Sequence, residues 1–205
     1  MSSKINEIAR GLLDIKAVFL RPEEPFTWAS GIKSPIYCDN RLTLSAPEVR
    51  QKIEVGLASL VMKHYPECQM LMGTSTAGIA HAAITASILG LPMGYVRGEA
   101  KSHGRGNRIE GKMDKGTKVV VIEDLISTGG SAIEVVDALR EEGAEVLGIA
   151  SIFTYGIKKG LMRIAEAETV NYSLSNLDTL VEVAAEEGYI ATEWKNKIIE
   201  FRDSL

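Results

Sequence analysis

Cysteine is nearly absent from these 205 residues, with only Cys38 and Cys68 present. The two sit in no metal-like spacing and cannot staple a chain of this size, which excludes the disulfide-framework class and suits a reducing compartment, the cytoplasm being the simplest. A surplus of positive charge is also missing. Against 23 Lys and Arg stand 27 Asp and Glu, a formal charge of -4, so nucleic acid is not an expected partner and any anion site must be local. No run approaches the ~20 apolar residues of a membrane span, and no charged-then-apolar leader opens the chain, so no membrane partner is expected. Internal repeats, low-complexity linkers, a Walker A loop and a G-x-G-x-x-G turn are lacking as well.

What is there is 45% apolar composition, enough to bury one core, and residues 1–205 are expected to form a single domain. Ile5, Ile8, Ala9, Leu12 and Leu13 recur at helical spacing after Ser2 and Ser3, predicting an amphipathic helix. Ser45 and Glu48 read as a capping box for a second helix carrying Val49, Ile53, Leu57, Leu60 and Val61 and ending near Pro66. Between the two, FTWASGIKSPIYCDN at 26–40 reads as extended chain around a Ser-Gly turn. From residue 70, short apolar runs alternate with helical stretches: MLMG, AGIAHAAITASILG, PMGYV, KVVVI, SAIEVVDALREEGA and VLGIASIF. That alternation predicts an α/β fold with a central parallel sheet flanked by helices. TVNYSLS at 169–175 offers a further strand, and TLVEVAAEEG and TEWKNKIIEF two more helices.

Residues 98–117, GEAKSHGRGNRIEGKMDKGT, break the rhythm with five glycines and the basic side chains Lys101, Arg105, Arg108, Lys112 and Lys115. Composition alone describes a solvated surface loop. Its length and its place between two core strands argue for a functional connection.

The most informative stretch is EDLISTGGS at 123–131, directly after KVVVI. In open α/β sheets ligands sit beyond the carboxyl ends of the strands, where the following helix presents unpaired N–H groups. Gly129 and Gly130 remove side chains where backbone must approach a phosphate, and Ser127, Thr128 and Ser131 add hydroxyl donors. Glu123 and Asp124 would repel that phosphate, so they must serve another part of the ligand. A vicinal diol supplies the donors that carboxylates accept, and a ribose carrying a 5-phosphate satisfies both halves of the motif. The same residues also describe an ordinary strand and capped helix with solvated acids.

This acid-acid, apolar, Ser-Thr-Gly-Gly-Ser pattern resembles the phosphoribosyl pyrophosphate (PRPP) motif of type I phosphoribosyltransferases. FTWASGIKSPIYCDNR at 26–41 and YVRGEAKSHGRGNRIEG at 95–111 look like the N-terminal and mobile-loop signatures of the orotate phosphoribosyltransferases. The resemblance spans roughly residues 5–155. It implies the type I phosphoribosyltransferase fold, with residues 1–45 as a small N-terminal hood and 98–117 as a mobile active-site loop.

Carried over by position, the resemblance implies that Glu123 and Asp124 bind the ribose hydroxyls. Leu125, Ile126, Ser127, Thr128, Gly129, Gly130 and Ser131 complete the PRPP segment, with Ser127 also touching orotate. Arg97, Lys101 and His103 match the pyrophosphate-binding loop, and Lys101, His103 and Asp124 are the implied catalytic residues. Mg²⁺ is the implied cofactor, bound mainly through PRPP with no direct side-chain ligand. The implied partners are orotate, PRPP and a second copy in a homodimer with shared active sites. Ala29, Ala77, Gly98 and Tyr155 depart from the better-known members, which carry basic residues there; Lys33 and Arg41 are candidates to replace the charge.

The implied reaction displaces pyrophosphate by a ring nitrogen of orotate, with cations near the leaving group as the largest lever. His81 reads as a packed or partly exposed core histidine and His64 as a complement to a helix C-terminal dipole, with Trp28 and Tyr37 as core aromatics sooner than base-stacking ones. Two rivals remain at this stage: a transferase for another base, and a PRPP-sensing regulator that binds nucleic acid. The second would not need Lys101 or His103.

Overall fold

A parallel sheet needs strands apolar on both faces, and residues 118–126 supply the central one. The computed structural model describes residues 2–27, 33–98 and 108–205. The chain begins with α1 (Ser2–Asp14), β1 (Val18–Leu20), β2 (Phe26–Thr27), β3 (Lys33–Ser34) and β4 (Ile36–Cys38), followed by a 3-10 turn over Asn40–Ser45. Then come α2 (Pro47–His64), β5 (Met70–Thr74), α3 (Ala77–Leu89), β6 (Met93–Val96), β7 (Ile109–Glu110) and β8 (Lys118–Ile126). The chain continues through α4 (Gly130–Glu141), β9 (Glu145–Thr154), α5 (Lys158–Glu166), β10 (Asn171–Asn176), α6 (Leu177–Glu186) and α7 (Trp194–Asp203).

Six strands form one sheet in the order β10-β9-β8-β5-β6-β7. All neighbours run parallel except β7, which closes the edge antiparallel to β6. Successive side chains of β8 enter opposite cores, which is why it reads as an unbroken apolar run. Val120 and Ile122 join Leu12, Ile53, Leu57 and Leu180 on one face; Val119 and Val121 join Val135, Leu139 and Ile164 on the other. The pairs β1–β4 and β2–β3 form two small antiparallel ribbons of the N-terminal segment.

Three local readings change. Helix α2 starts at Pro47, and its N-cap Ala46 makes no side-chain cap bond, so the Ser45–Glu48 capping box does not form. Ser45 ends the preceding 3-10 turn, and the proline at N1, with φ preset and no N–H to satisfy, begins the helix without a box. Strand β8 runs through both carboxylates to Ile126, because its ladder to β9 continues with Glu123 opposite Ser151 and Ile126 opposite Thr154. Helix α5 and strand β7 were not apparent from periodicity, one for its glycine and basic residues, the other for its brevity. The Ser-Gly turn at 30–31 lies outside the described residues. Among the described residues no helix is long and apolar enough to cross a membrane.

His81 behaves as a packing residue in a polar sense. Fully buried in α3, it meets Glu54 Oε1 of α2 at 2.7 Å through Nδ1 and Thr43 Oγ1 at 3.3 Å through Nε2. Thr85 Oγ1 donates to the other Glu54 oxygen at 2.8 Å. A buried carboxylate is tolerated only when its lone pairs are filled in this way. His64, in the last turn of α2, stacks on Tyr172 at 3.8 Å between ring centroids. Glu54→Ala is expected to lower the unfolding free energy by about 3–5 kcal/mol in urea titration. His81→Ala added to that variant should cost much less than His81→Ala alone, because the partner it would orphan has already gone.

Candidate active site

At the carboxyl end of the sheet, β8 delivers Glu123 and Asp124 on opposite faces, as the two-residue period of a strand requires. Glu123 is 4% exposed. Its Oε1 accepts from Thr74 Oγ1 of β5 and from the Asp124 backbone N–H, both at 2.9 Å, and Ser131 Oγ of α4 lies 3.4 Å from Oε2. The carboxyl thus ties three elements together. Burial, then the hydrogen bond and charge of Asp124, push its pKa up to about 8. Asp124 is half-buried and more open to the cleft.

The turn between β8 and α4 is only Ser127–Gly129. Gly129 takes a left-handed φ of 76° and caps α4 without any side-chain bond, leaving the first-turn N–H groups facing the cleft. Ser127 Oγ accepts the Thr128 N–H at 2.6 Å; Thr128 and Ser131 are exposed and Gly130 is half-buried. Leu125 and Ile126 lie in the strand, with Ile126 buried, so their contribution is backbone.

A second uncapped helix end stands beside the first. Helix α3 follows β5, the neighbour of β8, and its N-cap Thr76 makes no side-chain cap bond. Ser75 Oγ donates to the Val96 carbonyl at 2.6 Å, and a Cβ on Gly78 would collide with the Ile122 carbonyl, so turn and strand are in close contact. Ala77 opens α3 here. Sequence reading had passed over this Ser75–Thr76 turn, although a strand followed by TSTAG carries the same kind of signal as EDLISTGGS.

Asn40 was also missed. Its Nδ2 donates to the Asp124 carbonyl at 2.7 Å, while Thr43 Oγ1 donates to the Asn40 carbonyl at 2.6 Å. The N-terminal segment is thereby pinned to the backbone of the acid pair. No spacing announces a contact between residues 84 apart.

Arg97 directly follows β6 at the carboxyl end of the sheet. Its N–H donates to the Arg108 carbonyl at 2.8 Å, and its Nη1 lies 3.7 Å from Glu110 Oε1. Lys101, His103, Arg105, Trp28 and Ala29 lie outside the described residues. Gly98 is the last described residue before that gap. Tyr155 is buried, its N–H donating to the Ile126 carbonyl at 3.0 Å, and burial drives its phenol far above the usual range. Of the candidate replacement cations, Arg41 is held by Asp39 at 2.6 and 2.8 Å, whereas Lys33 is exposed on β3. Tyr37 is 40% exposed and packs on Phe26.

A pair of acidic side chains between two bare helix ends is the geometry expected for a phosphorylated sugar. The phosphoribosyl transferase domain model matches residues 45–180. The orotate phosphoribosyltransferase of Bacillus cereus (strain B4264) is 60% identical over 196 residues, 96% of this chain and 93% of that one. The chain belongs to the orotate phosphoribosyltransferase family. Among solved structures, the orotate phosphoribosyltransferase from Aeropyrum pernix is similar with a TM-score of 0.77 at 28% identity, over 90% of this chain and 99% of that chain. The Leishmania donovani UMP synthase gives a TM-score of 0.84 at 26% identity, covering 98% of this chain and 42% of that one. The fold is the type I phosphoribosyltransferase fold, and all of EDLISTGGS falls within the matched segment.

The raised Glu123 pKa has a defined consequence for stability. Between an unfolded value of 4.5 and a folded one of about 8, the native protein keeps a proton that the unfolded chain has released, so stability falls as pH rises through that window. Thermal melting of the ligand-free protein from pH 4.5 to pH 8 should show this decline, and Glu123→Gln should flatten it. An equally steep decline in the variant would assign it to other groups.

Proposed function

We propose that the chain transfers the ribose 5-phosphate of PRPP to orotate, giving orotidine 5′-monophosphate and pyrophosphate in UMP synthesis. The observation that carries this reading is the corner at the end of β8, where carboxyl groups for a diol and bare amides for a phosphate stand side by side. The 60% identity to the Bacillus cereus relative supports orotate as the base. In this reading Asp124, more open than Glu123, takes a ribose hydroxyl. Glu123 orders the corner and assists it. The 127–131 turn holds the 5-phosphate with its N–H groups and hydroxyls, and Ser127 also touches orotate.

As the glycosidic carbon loses its leaving group, positive charge grows on the ribose ring and negative charge on the pyrophosphate. Carboxylates near the ring and cations near the leaving group stabilise the two. Arg97, Lys101 and His103 are assigned to the pyrophosphate. Of the expected loop 98–117, Ile109 and Glu110 pair with β6 as β7, and the stretch before them is assigned to a loop that closes over the site and excludes water. Mg²⁺ would enter with the ligand, since such an ion takes most of its oxygens from substrate phosphates. When bound it would neutralise charge on the departing pyrophosphate.

The reading further includes one domain over 1–205 with a hood at 1–45, a homodimer with shared active sites, and a cytoplasmic location. The antiparallel ribbons β1–β4 and β2–β3, set apart from the main sheet, support the hood. The direct test mixes protein, Mg²⁺ and PRPP with a panel of bases and follows ultraviolet absorbance. Orotate should be consumed; turnover of hypoxanthine or uracil in its place would overturn the assignment. Lys101→Ala should cut turnover far more than it weakens PRPP binding, whereas equal losses would make Lys101 a binding residue only.

A further inference from the structure

Helix α5 presses one face, Gly160, Arg163 and Ile164, against the turn that precedes α4. Contact is close: a Cβ on Gly160 would collide with the Ser127 carbonyl, and a Cβ on Gly129 would stand 3.5 Å from both the Gly160 carbonyl and Ile164. From this face the half-buried Arg163 reaches the turn itself. Its Nη1 lies 3.4 Å from the Thr128 carbonyl and 3.8 Å from the position a Cβ on Gly130 would occupy.

That long hydrogen bond to the Thr128 carbonyl is the contact that holds the guanidinium here, and a neutral carbonyl leaves its charge uncompensated. The amino end of α4 is the positive end of its dipole, its cap Gly129 supplies no side-chain acceptor, and a guanidinium has been brought up beside it. Among the described residues no carboxylate pairs with Arg163. Its ordinary role would be to complement the carboxyl end of α5, where it occupies the last turn. Backbone already does that, because the N–H groups of Ala167, Glu168 and Thr169 bond the carbonyls of Arg163, Ala165 and Ile164. The side chain leans the other way, toward the amino end of its helix, as helical side chains do. Two positive groups that face each other across a glycine turn are stabilised by an anion between them.

We propose that Arg163 is a binding residue for the 5-phosphate of PRPP, supplying the full positive charge that the neutral turn 127–131 lacks. This rests on the reading of that turn as the ribose-phosphate site. A dianion held by amides and hydroxyls alone keeps its charge uncompensated, and an arginine fork is suited to phosphate oxygens. Gly160 has the complementary part: by lacking a side chain it lets α5 approach closely enough for Arg163 to reach.

The test separates the two ends of the substrate. Binding of ribose 5-phosphate and of pyrophosphate with Mg²⁺ is measured by calorimetry on the intact protein, wild type against R163Q and R163K. R163Q should weaken ribose 5-phosphate by roughly ten- to a hundredfold, the loss expected of one charge-assisted hydrogen bond, and leave pyrophosphate affinity unchanged. R163K, which keeps the charge without the fork, should fall between. Unchanged ribose 5-phosphate affinity in R163Q, or an equal loss for both ligands, would overturn the inference and leave Arg163 as a prop for the turn. If R163Q failed to fold, R163K alone would decide by the same comparison. Wild-type protein that bound pyrophosphate but no ribose 5-phosphate would overturn both this inference and the assignment of the turn.

Discussion

A carboxyl group withheld from water at the end of the central strand governs this structure. Glu123 stands where β5, β8 and α4 converge, and its hydrogen bonds to Thr74, the Asp124 N–H and Ser131 join all three. Such a group is tolerable only if its partners are in place and its proton affinity rises. The same constraint directs Asp124 to the opposite face of the strand, toward the cleft, and sets the starting direction of the 127–131 turn. The packing of the sheet and the shape of the candidate site therefore share one residue.

Around that point the fold concentrates positive potential without spending many charged side chains. Strands β5 and β8 are neighbours and parallel, so the helices that follow them begin at the same edge. Neither α3 nor α4 has a side-chain cap, and both direct bare N–H groups toward one cleft. An acidic chain can in this way offer local positive potential from backbone dipoles, with Arg97 and Arg163 nearby. The N-terminal segment meets the same cleft through Asn40, whose amide grips the Asp124 carbonyl, while Thr43 links it on toward the buried Glu54–His81 pair. The N-terminal segment and the sheet are coupled through polar contacts as well as apolar ones.

Sequence patterns expressed much of this plainly. KVVVI reads as a two-faced buried strand, and β8 has Val119 and Val121 in one core and Val120 and Ile122 in the other. EDLISTGGS reads as strand, turn and helix start, and it is that, with the strand running four residues past the apolar run to Ile126. The capping box at Ser45 failed because Pro47 offers a competing start. Helix α5 passed unnoticed because its apolar face is narrow and broken by Gly160, a residue whose reason is the turn it lies against.

Sequence by itself determined what depends on neighbours along the chain: the alternation of strand and helix, the glycines and hydroxyls of the 127–131 turn, and the acids before them. Periodicity and local composition record how each segment buries its own faces. Which turns meet was decided only by tertiary structure, through the order β10-β9-β8-β5-β6-β7. That order brings the Ser75–Thr76 turn beside the acid pair, Asn40 onto the Asp124 carbonyl and Arg163 onto the 127–131 turn. Those contacts join residues far apart in the chain, and their energy comes from filling particular donors and acceptors across an interface, a match that leaves no period in the sequence.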